Sequence, residues 1–173
     1  YDKILLRKKS VSDFMVSIEH TKEQLRKEII SEINQALDII WPKVYPYKDY
    51  LSARLSSKND YILEVLTTEK EWLRVEGFLS GGERACAALS IRIAIALILT
   101  KSLGLLILDE PTHNLDVETI TALSQVLDNQ LPSLVDQIFV ITHDQKLLDI
   151  TTSKKFLLDR DKEIDGVSSV VEY

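Results

Sequence analysis

The sequence predicts an α/β protein: one long helix, then antiparallel strands, then a parallel sheet joined by crossover helices. Three observations carry this. Apolar residues between positions 18 and 40 recur at helical spacing. Residues 61–75 hold two short runs of β-forming residues around a polar turn. From Ser80 onward helical segments alternate with short apolar runs, and strand–helix–strand order builds a parallel sheet.

The first helix is expected from about Ser12 to Ile40. Ile18, Leu25, Ile29, Ile33, Leu37 and Ile40 follow one another in steps of 7, 4, 4, 4 and 3, which places them on one face. Lys22, Glu23, Arg26 and Lys27 occupy the other face, with Glu23 and Lys27 in the favourable four-residue order. Trp41-Pro42 should end the helix, since a residue preceding proline is pushed out of the helical region. Heptad spacing is not strict, so the stripe fits either a coiled-coil strand or an amphipathic helix lying on a core.

Lys48–Leu55, Tyr61–Thr67 and Glu71–Val75 read as strands of an antiparallel flap. A helix follows over about Gly82–Lys101. Leu105–Leu108 is too short and uniform for anything but a buried strand. A helix over Asp116–Asn129 and a turn at Pro132 lead to a second buried strand, Gln137–Thr142. A short helix, Lys146–Ile150, precedes a terminal hairpin, Lys154–Asp159 with Val167–Glu172, around Asp165-Gly166.

The chain has 173 residues, 45% of them apolar, which suits a folded core. Tyr1 in place of Met points to a segment of a longer chain. The single cysteine, Cys86, supports no disulfide framework or zinc site and suggests an intracellular, reducing setting. The longest apolar stretch, Ala85–Leu99, is broken by Ser90 and Arg92 and falls short of the ~20 residues of a membrane span. Net charge is −6; residues 1–60 hold 11 basic and 9 acidic residues, and residues 61–173 hold 10 and 18. That distribution gives no basic footprint for nucleic acid, and Arg7-Lys8-Lys9 reads as a solvated face.

Four short motifs carry chemistry. Asp109-Glu110 ends the apolar run Leu105–Leu108, so both carboxylates emerge at the C-terminal end of a strand, where open α/β sheets bind ligands. An aspartate there can hold Mg²⁺ through water. The neighbouring glutamate can act as base toward a water attacking phosphorus. Pro111-Thr112 and Asn114-Leu115-Asp116 follow and set the pair apart from a solvated acidic turn. Leu79-Ser80-Gly81-Gly82-Glu83, 29 residues ahead, opens a helix whose first N–H groups favour an anion, with Ser80 adding a hydroxyl. Ser80-x-x-Glu83 is also a capping box, and the two roles are compatible. His143, in Thr142-His143-Asp144, follows the second buried strand, where an imidazole reaches a γ-phosphate or the attacking water. Asp116 has a sufficient structural reason as an N-cap. His20 and His113 lack such context, and Cys86 reads as a small apolar packing residue.

One element of an ATP site is missing. A phosphate loop ends in Gly-Lys-Ser/Thr, and none of Gly77, Gly81, Gly82, Gly104 and Gly166 precedes a lysine. The chain therefore needs another polypeptide to complete ATP hydrolysis. By itself its sheet would lack central strands and expose edges.

Together the motifs resemble the ABC ATPase superfamily: signature loop, Walker B, D-loop and switch histidine. Within it the chain is most similar to the C-terminal half of the Rad-fifty/SbcC DNA double-strand-break repair ATPase, in the SMC-like branch. The long leading helix, Gly81-Gly82-Glu83-Arg84 with glutamate where transporters have glutamine, and the long helix before Walker B carry that likeness. SMC proteins proper usually lack Pro111-Thr112 and the switch histidine. The likeness covers residues 75–160 well and 1–45 by arrangement. It implies a helical coiled-coil base over residues 1–42 and the C-terminal half of an ABC ATPase head over 43–173. The zinc-hook cysteines, the coiled-coil apex and the N-terminal half would lie outside this segment.

By this resemblance the cofactors are ATP and Mg²⁺. Glu110 and His143 would be catalytic, Asp109 would bind the metal, and Ser80, Gly81, Gly82, Glu83, Asn114 and Asp116 would contact nucleotide, with Ser80 and Gly82 reaching ATP held by the opposite head. The implied partners are the P-loop-bearing N-terminal half, a second head in an ATP-dependent homodimer, an Mre-eleven/SbcD-type nuclease near residues 12–40, and double-stranded DNA, with no membrane. The implied location is cytoplasm and nucleoid, or nucleus. A transporter nucleotide-binding subunit is disfavoured by the long charged helix. A non-hydrolysing scaffold lobe is disfavoured by the intact Asp109, Glu110 and His143.

Overall fold

The computed structural model describes residues 2–57, 60–99, 104–159 and 168–172. Helix α1 (Asp2–Val44) leads into β1 (Tyr50–Ser56), β2 (Ile62–Thr67) and β3 (Trp72–Arg74). A kinked single turn, α2 (Val75–Phe78), precedes α3 (Gly81–Leu99), β4 (Leu105–Asp109), α4 (Val117–Asn129), β5 (Gln137–Ile141) and α5 (Gln145–Ile150). Strands β6 (Phe156–Asp159) and β7 (Ser169–Glu172) follow. The fold is α/β, as the alternating pattern predicts, with β4 and β5 parallel and the other two sheets antiparallel. No helix among the described residues is long and apolar enough to cross a membrane.

Helix α1 departs from expectation at both ends. It begins before Ser12, and it runs through Trp41-Pro42 to Val44. Proline removes only its own N–H, and its effect on the preceding residue is a bias that packing overrides. Here Trp41 and Val44 are fully buried, and the Tyr45 N–H donates to the Trp41 carbonyl at 2.9 Å to close the last turn. The predicted stripe splits. Ile33, Leu37 and Ile40 enter the core, whereas Ile18, Leu25 and Ile29 stay about half exposed. The C-terminal third of α1 thus lies on the core, and the earlier part presents an apolar stripe without cover from the described residues. Glu23 pairs with Arg26 at 3.7 Å, three residues on, rather than with Lys27.

Side chains of α1 also serve the edge of β1. The Asn34 amide accepts from the Leu55 N–H at 2.7 Å and donates to the Leu55 carbonyl at 3.1 Å. Ser52 donates to Asp38 at 3.0 Å, and Trp41 Nε1 donates to the Tyr50 carbonyl at 3.1 Å. Steps of four and three residues along one helix face therefore satisfy a strand edge. Ala53 and Val65, opposite one another in β1 and β2, point into the same core. The flap expected over residues 48–75 is this sheet, and it fixes the angle of α1.

The expectation that β4 and β5 are buried on both faces does not hold. Leu106 and Leu108 are buried, but Ile107, Phe139 and Ile141 are about half exposed. Leu106 and Leu108 share a core with Ile120, Leu123 and Val126 of α4, and no described element covers the face that carries Ile107, Phe139 and Ile141. A uniformly apolar strand calls for two covered faces, and the described residues supply one. The β6–β7 hairpin pairs as predicted, while its turn at Asp165-Gly166 lies outside the described residues, as do Lys101 and Val167.

Two truncations on α1 should separate core from arm. Leu37→Ala, at a fully buried position, is expected to cost about 2–5 kcal/mol in denaturant unfolding of the chain. Leu25→Ala, on the exposed stretch, is expected to stay within about 0.5 kcal/mol.

Candidate functional site

Parallel pairing of β4 with β5 sets Asp109 opposite Ile141. The ladder continues one residue further, since the Glu110 N–H donates to the Ile141 carbonyl at 2.8 Å. Glu110 then turns the chain with φ +45°, a left-handed torsion uncommon outside glycine, asparagine and aspartate. Two turn bonds hold the bend, His113 N–H to the Glu110 carbonyl at 3.4 Å and Leu115 N–H to the Thr112 carbonyl at 3.0 Å. Thr112 is buried beneath it, and Asn114 takes the same torsion at φ +63°. A sharp turn at the end of a buried strand thus lifts the Glu110 carboxylate clear of the core. Strain of this sort concentrates at functional positions.

His143 reaches that carboxylate from the end of β5. Its Nδ1 lies 2.7 Å from Glu110 Oε1, and Thr142 Oγ1 lies 3.5 Å from Oε2. Thr142 also accepts from the Asp144 N–H at 3.0 Å, and Asp144 caps α5 through the Lys146 N–H at 2.9 Å. The histidine is therefore held at the start of a helix and beside the glutamate, with 89% of its side chain open to solvent. The hydrogen bond to Glu110, then that carboxylate's charge, raises the His143 pKa above its ordinary 6.5. Asp109, exposed at the last position of β4, stands beside this pair in the chain. Among the described residues no three His, Cys, Asp or Glu side chains close around a metal. That donor set suits Mg²⁺, which takes one carboxylate and keeps water and phosphate ligands, and it does not suit zinc.

A second cluster forms where α3 and α4 begin. Ser80 and Glu83 make the expected capping box: Glu83 accepts from the Ser80 N–H at 2.7 Å, and Ser80 Oγ accepts from the Glu83 N–H at 3.4 Å. Neither Gly81 nor Gly82 has a positive φ, so torsional freedom is not what the glycines supply. A Cβ at Gly81 would meet nothing within 4 Å, and one at Gly82 would lie 3.6 Å from the Asn114 carbonyl. The pair leaves bare backbone at a helix N-terminus, open to a close approach. Asp116 caps α4 by accepting from the Thr119 N–H at 2.9 Å, as predicted. The Gly82–Asn114 contact joins the signature stretch to the loop that starts at Glu110.

The predicted residues therefore form two groups joined by residues 110–116, one with Asp109, Glu110 and His143, the other with Ser80, Gly81, Gly82, Glu83, Asn114 and Asp116. Sequence reading missed Tyr47, whose hydroxyl donates to Asp116. No spacing signal links positions 47 and 116. The role of Thr142 was visible only as a neighbour of His143. His20 and His113 are exposed and join neither group.

No model of a known protein family matches the chain. Among curated proteins it is 46% identical over 82 residues to the DNA double-strand break repair Rad50 ATPase of Sulfurisphaera tokodaii, covering 47% of this chain and 9% of that protein. It is 33% identical over 133 residues to the Rad50 ATPase of Halobacterium salinarum, covering 73% and 15%. The Smc head domain with a coiled coil and joint from Pyrococcus yayanosii superposes with a TM-score of 0.70 at 25% identity, over 99% of this chain and 32% of that one. The chain belongs to the Rad50/SMC-like ABC ATPases. It spans 15% of the length of the rad-50 DNA repair protein of Caenorhabditis elegans, which it matches at 27% identity. The long leading helix, the parallel pair and the antiparallel strands are thus features of a Rad50/SMC-like head.

The Glu110–His143 contact has a measurable consequence. By NMR titration His143 should titrate above 6.5 and fall back toward that value in Glu110→Gln, because the carboxylate stabilises the imidazolium. With the folded value raised, any stabilisation from the pair is present below the ordinary pKa. It is lost as pH rises through the raised one.

Proposed function

We propose that this chain is the C-terminal half of an ATP-hydrolysing head of a DNA double-strand-break repair complex, inactive until a P-loop-bearing N-terminal half completes it. In this reading residues 1–42 are the base of a coiled-coil arm and residues 43–173 belong to the head. The observation that carries it is the Glu110 carboxylate, raised on a left-handed turn at the end of β4 and held 2.7 Å from His143.

Each side chain then has a task. Glu110 accepts the proton of a water attacking the γ-phosphorus. His143 orients that carboxylate and, protonated more readily than a free imidazole, adds positive charge beside the reacting phosphate. Thr142 restricts the second carboxylate oxygen. Asp109 would hold Mg²⁺, which when bound neutralises phosphate charge. Ser80 and the backbone of Gly81 and Gly82 lie outside this group, so they serve a nucleotide other than the one attacked by the water that Glu110 activates. That nucleotide is held by a second head in a symmetric dimer. Glu83 fixes Ser80 for that contact, and Asn114 and Asp116 line the seam. Loss of the γ-phosphate removes the Ser80 contact and opens the dimer.

The free edges of β4 and β5 are where the missing half adds its strands, and its further layer covers their apolar face. The exposed stripe of α1 takes the second arm strand and, near residues 12–40, the partner nuclease. Double-stranded DNA lies across the joined heads. Such a complex works inside the cell, in the nucleoid or nucleus.

ATP hydrolysis is expected only when the chain is co-expressed with a P-loop-bearing N-terminal half. Turnover by this chain alone would overturn the proposal. In the combination, Glu110→Gln should lower kcat by about 10²–10⁴-fold while ATP-dependent dimers persist by light scattering. Ser80→Arg should abolish the dimer, and undiminished pairing would refute its contact with the opposite nucleotide.

A further inference from the structure

Beyond the α1 base, a run of aromatic residues leads to the second cluster. Trp41, fully buried in the last turns of α1, stacks on Tyr45 with ring centroids 4.6 Å apart and planes 16° apart. Tyr45 meets the edge of Tyr47 at 5.4 Å and 68°. Tyr45 is pinned by a hydrogen bond from its hydroxyl to Asp49 at 2.6 Å. The Tyr47 hydroxyl donates to Asp116 Oδ2, while Asp116 Oδ1 accepts from the Thr119 N–H. Both carboxylate oxygens are therefore occupied, one by the helix it caps and one by the chain leaving α1. Residues 114–116 in turn lie against Gly82 through the Asn114 carbonyl. These contacts form an unbroken series from the last turns of α1 to Asp116.

We propose that Tyr47 is a positioning residue: its hydroxyl holds Asp116, and through it the loop from Glu110 to Asp116, in register with the base of α1. The inference rests on the functional reading above and adds to it a link between the arm and the seam. The N-cap alone would leave the carboxylate free to turn about its single bonded oxygen. The hydroxyl removes that freedom. Consistent with this geometry, the Tyr47 hydrogen bond, ahead of the Thr119 N–H, holds the Asp116 carboxyl below the usual carboxylate range. The same bond pushes the Tyr47 phenol up.

Tyr47→Phe keeps the ring and its edge contact and removes only the hydroxyl. In the chain combined with a P-loop-bearing N-terminal half, it is expected to lower kcat about ten-fold, as loss of a hydrogen bond to a charged group predicts. KM for ATP should not change, since the hydroxyl does not touch the nucleotide, so the loss falls on kcat alone. Asp116→Ser keeps a capping oxygen and removes the acceptor for Tyr47. In that background Tyr47→Phe should cause no further loss, because the two substitutions break one interaction. Wild-type kcat in Tyr47→Phe, or the same fold-loss in both backgrounds, would overturn the proposal while Glu110-dependent hydrolysis still stood. Absence of hydrolysis in the wild-type combination would remove the functional reading and this inference together.

Discussion

The site depends on one feature of the parallel pair β4–β5: its last ladder bond is made by Glu110, two residues past Leu108, the last apolar side chain of β4. The bond from Glu110 N–H to the Ile141 carbonyl fixes where β4 ends relative to β5. It brings Glu110 and the Thr142-His143 segment to the same edge of the sheet. A shift of register would carry Glu110 and His143 apart and turn Leu106 and Leu108 out of the core, since side chains alternate along a strand. The left-handed turn at Glu110 follows from the same constraint, because the chain must leave the sheet at once to begin the loop that ends in Asp116.

Around this edge the described residues build on one side only. Helices α1, α3 and α4 share a core that includes Leu37, Trp41, Ile93 and Leu123, and the β1–β2–β3 sheet joins it through Ala53 and Val65. The opposite face of β4–β5 and the first part of α1 carry apolar residues that this core does not use. Single exposed apolar residues are ordinary; contiguous ones on a strand pair and along a helix stripe are the surfaces that the proposed function gives to the missing half and to the second arm strand.

The two clusters differ in how they are held. Glu110 and His143 depend on strand pairing and on each other. The signature stretch and Asp116 depend on helix caps, which are local and would form wherever those helices begin. What makes the caps part of one site is long-range: the Gly82–Asn114 approach and the Tyr47–Asp116 bond. Through these, the end of α1 and the loop that leaves Glu110 share a framework.

Much of this was written in short-range chemistry. Helical periodicity, apolar runs ending in acids, the capping box and Asp116 as N-cap all depend on neighbours a few residues apart, and all of them are present in the fold. The motif residues, too, were legible, because each sits at an element boundary with its own local signal. The tertiary structure decided what local signals do not reach. Burial of Trp41 and Val44 carried α1 through Pro42, against the bias of the dipeptide. Absence of a covering layer left Ile107, Phe139 and Ile141 exposed, although a run of apolar residues reads the same whether one face or two are covered. The contact between Tyr47 and Asp116 joins residues 69 positions apart, and it exists only because α1, β1 and α4 pack around one core.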